Sequence, residues 1–431
     1  MMAPPRALFR PDALAGFGHL SRSLALATAW ARAGGAVDVD APGIDETWRR
    51  RFETIGATFD GAARSDWCVL DGYGNDLAVQ RRARADHNHV LVIDDHGSLG
   101  AYDADLVLDH NIGADRGDLL GPRYLLLRTE FAAEPPDRPS LGRRVLLAPG
   151  GAPSSSTTGT FEGIAAGLTA AGADVVWLRG VDDVVATMAS ADVAVAAAGV
   201  TAYELCRVGV PAVLLAVAEN QEPVARRLDD TGAALTAGAD DAVDSALALL
   251  DDPDRRATMT RVARRLVDGR GAARVVAAMR SFLLDVRPAT AEDLDLTWEW
   301  SNDPDVRRQS FDSASVPRHR HEEWFGRRLA DPESDFLIVE SDGVPVGQAR
   351  FEGTPTTLGY LVGPAHRGRG LAAPLLVAAC RQHFRRHPAG EVIALVKPDN
   401  RASVRALDLA GFEPMDPMDG ALRFRSRAGT T

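Results

Sequence analysis

The strongest constraint on the fold is a recurring alternation. From Leu8 to about Ser140, short apolar runs at Leu8-Phe9, Val37 to Val39, Trp67 to Leu70, Val90 to Ile93 and Leu106 to Leu108 alternate with glycine-rich turns and helix-like segments. Such a pattern predicts a parallel sheet covered by helices on both faces, with ligands bound beyond the carboxyl ends of the strands. The residues at those ends are Asp12 and His19, then Asp71-Gly72-Tyr73, Asp94-Asp95, and Asp109-His110-Asn111. Aspartates there also serve as helix caps and turn formers. Their recurrence at one rim favours a site.

After the first run, Gly16-Phe17-Gly18-His19-Leu20-Ser21-Arg22 opens an amphipathic segment that stops at Gly34-Gly35. The order strand, glycine turn, helix points backbone N–H groups at an anion. His19 stands at that mouth, either as a base or as a helix cap. A proline-rich stretch, Ala132 to Ser140, then reads as a linker. A second alternating series follows: Val145 to Leu147 into Pro149-Gly150-Gly151, a Ser/Thr-rich loop and a helix from about Phe161 to Leu168, then Val175 to Leu178, Val193 to Ala197, Val213 to Leu215 and Ala233 to Leu235. Gly199-Val200-Thr201 turns into a helix carrying Glu204, so the turn offers N–H groups to a diphosphate and Glu204 an acceptor for sugar hydroxyls. Asn220-Gln221, at a strand outlet, either reads hydroxyls or caps the next helix. Residues 241–284 read as helical.

A different pattern begins near Val286: a short strand, helices from Ala291 to Trp300 and from about His319 to Leu329, and three antiparallel-looking runs with an Asp342-Gly343 hairpin turn between the first two. Gly363-Pro364-Ala365-His366-Arg367-Gly368-Arg369-Gly370-Leu371-Ala372 then opens a helix to about Arg385. This is again a diphosphate cradle, without the Gly-Lys-Ser/Thr ending of a mononucleotide P-loop.

Length and composition bound the function. At 431 residues, two or three domains are expected, and 45% hydrophobic with 25% charged residues is a soluble globular balance. A net charge of -12 argues against nucleic acid. No apolar run reaches the roughly 20 residues of a membrane helix, and the start lacks a signal-peptide core, so a cytoplasmic protein with no membrane partner is expected. Cys68, Cys206 and Cys380 are scattered, odd in number and unsuited to a disulfide framework or zinc site.

The elements Phe9-Arg10-x-Asp12, Gly16-Phe17-Gly18-His19-x-x-Arg22, Asp71-x-Tyr73-Gly74-x-Asp76, Ile93-Asp94-Asp95, Gly121-Pro122-Arg123-Tyr124, Leu127-Arg128-x-x-Phe131, Ala198-Gly199 with Glu204, Gly209-x-Pro211 and Asn220-Gln221 occur in order. By them, the first 280 or so residues resemble the metal-independent GT-B hydrolases that remove UDP from UDP-2,4-diacetamido-2,4,6-trideoxy-L-altrose on the route to pseudaminic acid. The resemblance implies His19 as general base, with Asp12 and Tyr73 in the catalytic centre. It places Gly18, Arg22, Asp94, Asn111, Gly150 and Gly151 on the nucleotide sugar, together with Gly199, Val200, Thr201, Glu204, Asn220 and Gln221. Two departures stand out: Ala148 to Pro153 replaces a Phe-Gly-Gly-Ser-Asp type loop, and His96-Gly97-Ser98 replaces the usual leucine and basic residues.

Arg367 to Ala372, with Leu361-Val362 at a splayed strand before it and Asn400-x-x-Ser403 leading to Ala410-Gly411-Phe412 after it, is similar to the GNAT acetyltransferases. In that family the loop holds the pyrophosphate of acetyl-CoA. The resemblance implies cofactor contacts from Leu361, Val362, Arg367, Gly368, Arg369, Gly370, Leu371, Ala372, Asn400 and Ser403. Leu407 stands where many members place a tyrosine acid, leaving Tyr360 or a water for that role. Trp298 to Asn302 with Val306-Arg307 look like the acceptor side of members that acetylate amino sugars; His319, His321 and Glu322 either line that pocket or lie on a solvated helix face.

The expected architecture is α/β: a GT-B-like pair of Rossmann-type doubly wound domains, 1–140 and 141–284, followed by a GNAT α+β domain, 285–431. The expected function is bifunctional: 4-N-acetylation of UDP-4-amino-4,6-dideoxy-N-acetyl-altrosamine, then hydrolysis of the product. Acetyl-CoA is the expected cosubstrate, no metal is required, and the chain is a monomer or homodimer. A GT-B glycosyltransferase, or a non-catalytic sugar-nucleotide-binding module serving the acetyltransferase, remains an alternative.

Overall fold

The computed structural model describes residues 3–13, 17–59, 64–95, 97, 99–136, 142–150 and 153–428. The chain divides into two compact units, Met1–Ala272 and Ala273–Thr431.

The first unit holds two parallel sheets. One comprises β1 (Arg6–Pro11), β2 (Ala36–Val39), β3 (Trp67–Asp71), β4 (His89–Ile93), β5 (Leu106–Asp109) and β6 (Leu119–Leu120), in the order β2-β1-β3-β4-β5-β6. β3 is buried at every position, as expected of a parallel strand with helices on both faces. The helix Phe17–Arg32 returns the chain from β1 to β2 and seats Leu26 and Trp30 in the core without exposed surface. Its exit requires two glycines. Gly34 is left-handed (φ 88°), and a Cβ on Gly35 would lie 2.1 Å from the Trp30 indole, whose N–H donates to the Ala36 carbonyl.

The other sheet comprises β7 (Arg144–Ala148), β8 (Asp174–Trp177), β9 (Val193–Ala197), β10 (Ala212–Leu215) and β11 (Leu235–Thr236), in the order β11-β10-β9-β7-β8. Read from its other edge, this repeats the 2-1-3-4-5 order of the first sheet. Alternate residues serve two cores: Val145, Leu147, Val193 and Val195 face one, Leu146, Ala148, Ala194 and Ala196 the other. Leu125, Leu127 and Phe131 pack into the second of these, so the chain has joined the second core before the proline-rich stretch.

Several boundaries differ from the sequence expectation. The helix expected near Phe161 spans Ser155–Ala170, because the Ser154 hydroxyl accepts from the Thr157 N–H and starts it early. β11 begins at Leu235, since Gly232 (φ 75°) ends the preceding helix and Ala233 and Ala234 form its buried exit.

The second unit is one mixed sheet: β12 (Asp285–Pro288), β13 (Asp335–Ser341), β14 (Val344–Glu352), β15 (Thr356–Val362), β16 (Glu391–Val396), β17 (Glu413–Met418) and β18 (Ala421–Arg427), ordered β12-β13-β14-β15-β16-β18-β17. Asp342 and Gly343 are both left-handed (φ 52° and 74°), the geometry a two-residue hairpin turn demands. β15 and β16 are parallel neighbours, paired only at Thr356 to Leu358. Beyond that point Gly359 to Val362 remain bonded to β14 and part from β16, opening the sheet. The helix Ala372–Arg386 buries ten residues against the sheet. A helix at Pro304–Gln309, capped by Asp303, was not expected.

Candidate functional sites

The first site is built on a buried carboxylate. Asp71 closes β3 beside β1, the point where the strand order reverses and doubly wound sheets bind ligands. Its side chain has no exposed surface. His19 Nδ1 lies 2.7 Å from Asp71 Oδ1, the Ser23 hydroxyl donates to Oδ2 (2.9 Å), and Arg22 donates from Nε (2.9 and 3.0 Å) and Nη2 (2.6 Å). Arg22 Nη1 also reaches Asp95. Burial pushes the Asp71 carboxyl up, but the Arg22 charge and the hydrogen bonds from His19 and Arg22 hold it below the usual range. Arg22 Nη2 also approaches His19 Nδ1 (2.9 Å), so carboxylate and guanidinium compete for that nitrogen. An ionised Asp71 only accepts. When Nδ1 donates to Asp71, Nε2 of the neutral ring keeps the lone pair, the tautomer a general base needs.

The remaining sequence candidates in this half divide by what they touch. Tyr73, 51% exposed, sets its ring edge-on to His19 with centroids 4.9 Å apart. The Asp12 N–H donates to the Asp71 carbonyl (2.7 Å), tying the two strand ends. Gly18 is exposed in the first helical turn, with open space beside it. Asp94 is buried and accepts from Leu99 N–H (3.0 Å) and the Tyr102 hydroxyl (2.9 Å), so it holds its own loop. Asn111 donates to the Asp95 carbonyl (2.5 Å) and accepts from Tyr203 of the second half (3.3 Å). Its neighbour His110 is buried, and its Nδ1 has no hydrogen-bond partner among the described residues. Burial, then the Arg22 charge, pushes that imidazole down to about 4. Asp71 and Asp95 were visible as strand ends and as members of the resemblance motifs, but not as partners of His19 and Arg22, because that pairing depends on β1, β3 and β4 meeting.

In the second sheet Gly150 (φ 104°) follows β7 and Gly199 follows β9, again where the order reverses. Gly151 lies outside the described residues, as do Gly16, His96 and Ser98. Gly199 caps the helix Val200–Val208 with no side-chain bond, Val200 is half exposed, Thr201 is half-buried, and the Gln221 amide lies beside Gly199. Gln221 Oε1 accepts from Val217 N–H (3.2 Å); Asn220 is exposed. Glu204 is buried and takes the Arg128 Nε–H at 2.7 Å, so its carboxylate already has a protein partner. On the face of the Phe17–Arg32 helix turned away from His19, a cavity of about 330 Å³ is lined by Ser21, Leu24, Thr28, Trp48, Arg51 and Arg128. None of the catalytic candidates borders it.

The second unit gathers its candidates at the open sheet. Gly368 (φ 74°) and Gly370 (φ 69°) are left-handed, and the following helix starts with no side-chain cap, leaving first-turn N–H groups for a ligand. Arg367 is tied to Asp303 (2.7 Å), Asp305 (3.1 Å) and the Val362 carbonyl (3.4 Å), while Arg369 is exposed. Leu361 and Val362 lie on the parted half of β15, and Leu371 and Ala372 lead into the helix, half-buried. Asn400 caps the helix Arg401–Leu409 by accepting from Ser403 N–H (3.1 Å). Burial pushes the Tyr360 phenol up to about 12, a shift the Ser403 side chain opposes. Leu407 is wholly buried in the core. Trp298 and Asn302 both donate to the Val316 carbonyl, clasping the loop ahead of the next helix. His321 belongs neither to a pocket rim nor to a solvated face: it is buried, bonded to Thr297 (3.1 Å) and packed on Trp324 and Phe325, whereas His319 and Glu322 are exposed.

Residues 284–413 match the acetyltransferase (GNAT) domain family, and this part of the chain is a GNAT acetyltransferase domain. Over 105 residues, 23% of this chain and 31% of the relative, the sequence is 33% identical to the spore coat polysaccharide biosynthesis protein SpsG of Bacillus subtilis (strain 168). The chain thus spans about a third of the length of the curated relative it matches. Among solved structures, spermidine N-acetyltransferase from Vibrio cholerae in complex with CoA and spermine is similar at 17% identity over 35% of this chain and 98% of that one, TM-score 0.32. Aminoglycoside acetyltransferase AAC(6')-Ib with coenzyme A is similar at 20% identity over 33% and 94%, TM-score 0.30. Among the described residues no helix is long and apolar enough to cross a membrane.

Proposed function

We propose that the chain is a bifunctional enzyme of sugar biosynthesis: a UDP-sugar hydrolase with a GT-B pair of domains, joined to an amino-sugar N-acetyltransferase, taking two consecutive steps toward a pseudaminic-type acid. The observation that carries the hydrolase half is the His19–Asp71 pair, clamped by Arg22 at the reversal point of the first sheet. His19 Nε2 takes a proton from water as its oxygen attacks the anomeric carbon. The carbon–oxygen bond to UDP breaks, UDP leaves with the electron pair, and the configuration inverts. UDP is a good leaving group, so the protein's task is to place the water and hold the diphosphate; the uncapped helix mouth at Gly199 suits that charge.

For the acetyltransferase half, the cradle at Gly368 and Gly370 fits the pyrophosphate of acetyl-CoA, which supplies the thioester. Arg367, pinned by Asp303 and Asp305, sets the loop's shape, and Arg369 remains for phosphate contact. Tyr360, protonated at neutral pH, or a water returns a proton to the departing thiolate. The similarity to a protein named for polysaccharide biosynthesis supports a sugar as acceptor.

His19→Ala should cut UDP release by about 10²–10⁴, the usual contribution of a general base, and leave acetyl transfer intact. UDP release at the wild-type rate would remove the assignment. A second reading draws on the altered loop at Ala148 to Pro153 and on Glu204 being taken by Arg128: a module that binds nucleotide sugar without turnover. It predicts UDP binding with no free sugar from the wild-type chain.

A further inference from the structure

We propose that Asp335, His383 and His387 form a binding site for one transition-metal ion, zinc by preference, at the end of the Ala372–Arg386 helix remote from the glycine loop. One donor atom from each residue lies within 4.8 Å of the others. Asp335 opens β13 and is buried; the last turn of the helix brings His383 Nδ1 to 2.6 Å, and the residue that caps the helix, His387, brings its Nε2 to 3.6 Å, from the same oxygen, Oδ2. Donors bound to a tetrahedral zinc at about 2.0–2.1 Å lie roughly 3.3 Å apart. The two distances straddle that value, so side-chain adjustments alone would close the site.

A simple ion pair explains less. Arg386 already bonds the other oxygen, Oδ1, and supplies the charge that a buried aspartate needs. At 3.6 Å His387 is beyond hydrogen-bond reach of Oδ2, yet its four-residue spacing from His383 brings both imidazoles to one face of the helix. The His383 ring lies flat on Phe351, centroids 4.2 Å apart and 3° from parallel, which fixes its plane. Arg386 is the kind of outer partner that orients a ligating carboxylate. His387 is half-buried, giving an ion an entry path and a coordination position for water. Two imidazoles and one carboxylate select zinc or cobalt over magnesium or calcium. Binding exchanges the His383 Nδ1 proton for the ion. A 15-residue helix is about 22 Å long, so the ion is too distant for acetyl transfer and ties the start of β13 to the helix that presents the loop.

The test uses the untagged full chain, stripped with EDTA, dialysed and titrated with zinc while its Tm is followed, and with cobalt(II) while its visible absorption is read. The expected result is one equivalent bound, a Tm rise of several degrees and a cobalt band, with both signals lost in His387→Ala although its metal-free Tm matches the wild type. Asp335→Asn should lose them too. No stoichiometric binding by the wild type, or both signals retained by His387→Ala, would overturn the proposal.

Discussion

Asp71 is the residue on which the first site depends, because it is bonded to both His19 and the buried Arg22. Asp71→Asn keeps the shape but allows the amide to donate to Nδ1, which moves the imidazole proton to Nε2. A comparable exchange in a serine-protease triad costs about 10⁴ in kcat. UDP release by Asp71→Asn should therefore fall by about 10³ or more with KM little changed; a loss confined to KM would count against the tautomer role. His110 makes a separate prediction. Its folded pKa, about 4, is below the unfolded value near 6.5, so the unfolded state takes up the proton first. Stability is then complete above pH 6.5 and declines as pH falls toward 4, by about 3 kcal/mol at 1.4 kcal/mol per pH unit. Denaturant melts from pH 7.5 to 4 should show that decline in the wild type and a flatter profile in His110→Gln. Parallel profiles would show that His110 takes its proton as readily folded as unfolded. Sequence order exposed His19, which sits on a local strand-turn-helix unit. It marked Asp71, Asp95 and His110 at one rim of strand ends but could not pair Asp71 and Asp95 with His19 and Arg22, which lie tens of residues away.

At the scale of elements, the two glycines ahead of the Ala372–Arg386 helix are set by backbone geometry rather than by space. Neither a Cβ on Gly368 nor the exposed surface there meets a wall, but φ of 74° penalises any other residue by about 1–2 kcal/mol. Gly368→Val should raise the KM for acetyl-CoA by about tenfold, leave UDP release unchanged and lower the melting temperature only slightly. An unaltered KM would remove the cradle. This loop was legible from sequence because glycine spacing and the following helix are local. The parting of β15 from β16 was legible only by resemblance, since it is visible in which residues stop pairing. The burial of His321 was not legible at all: its spacing suits a solvated helix face until Thr297, Trp324 and Phe325 close over it. His383 and His387 were passed over for a similar reason, because a His-x-x-x-His pair acquires meaning only when β13 brings Asp335 beneath it.

For the whole molecule, the sheets offer the two proposed chemistries separate frameworks. Both sheets of the first unit share the order 2-1-3-4-5, to which the first adds a sixth strand, and place glycines where the order reverses, while the second unit opens a mixed sheet beside an uncapped helix. The three cysteines are buried, and burial pushes the Cys68 and Cys206 thiols up to about 12, so those two stay protonated at neutral pH. The central claim is that one chain acetylates an amino sugar and then frees it from UDP. The most direct measurement is mass spectrometry with proton NMR on the full chain given UDP-4-amino-4,6-dideoxy-N-acetyl-altrosamine and acetyl-CoA. The account predicts a nucleotide sugar heavier by one acetyl group, followed by UDP and a free diacetamido sugar released with inverted anomeric configuration. A substrate that gains no acetyl group, or an acetylated sugar that stays attached to UDP, would contradict it.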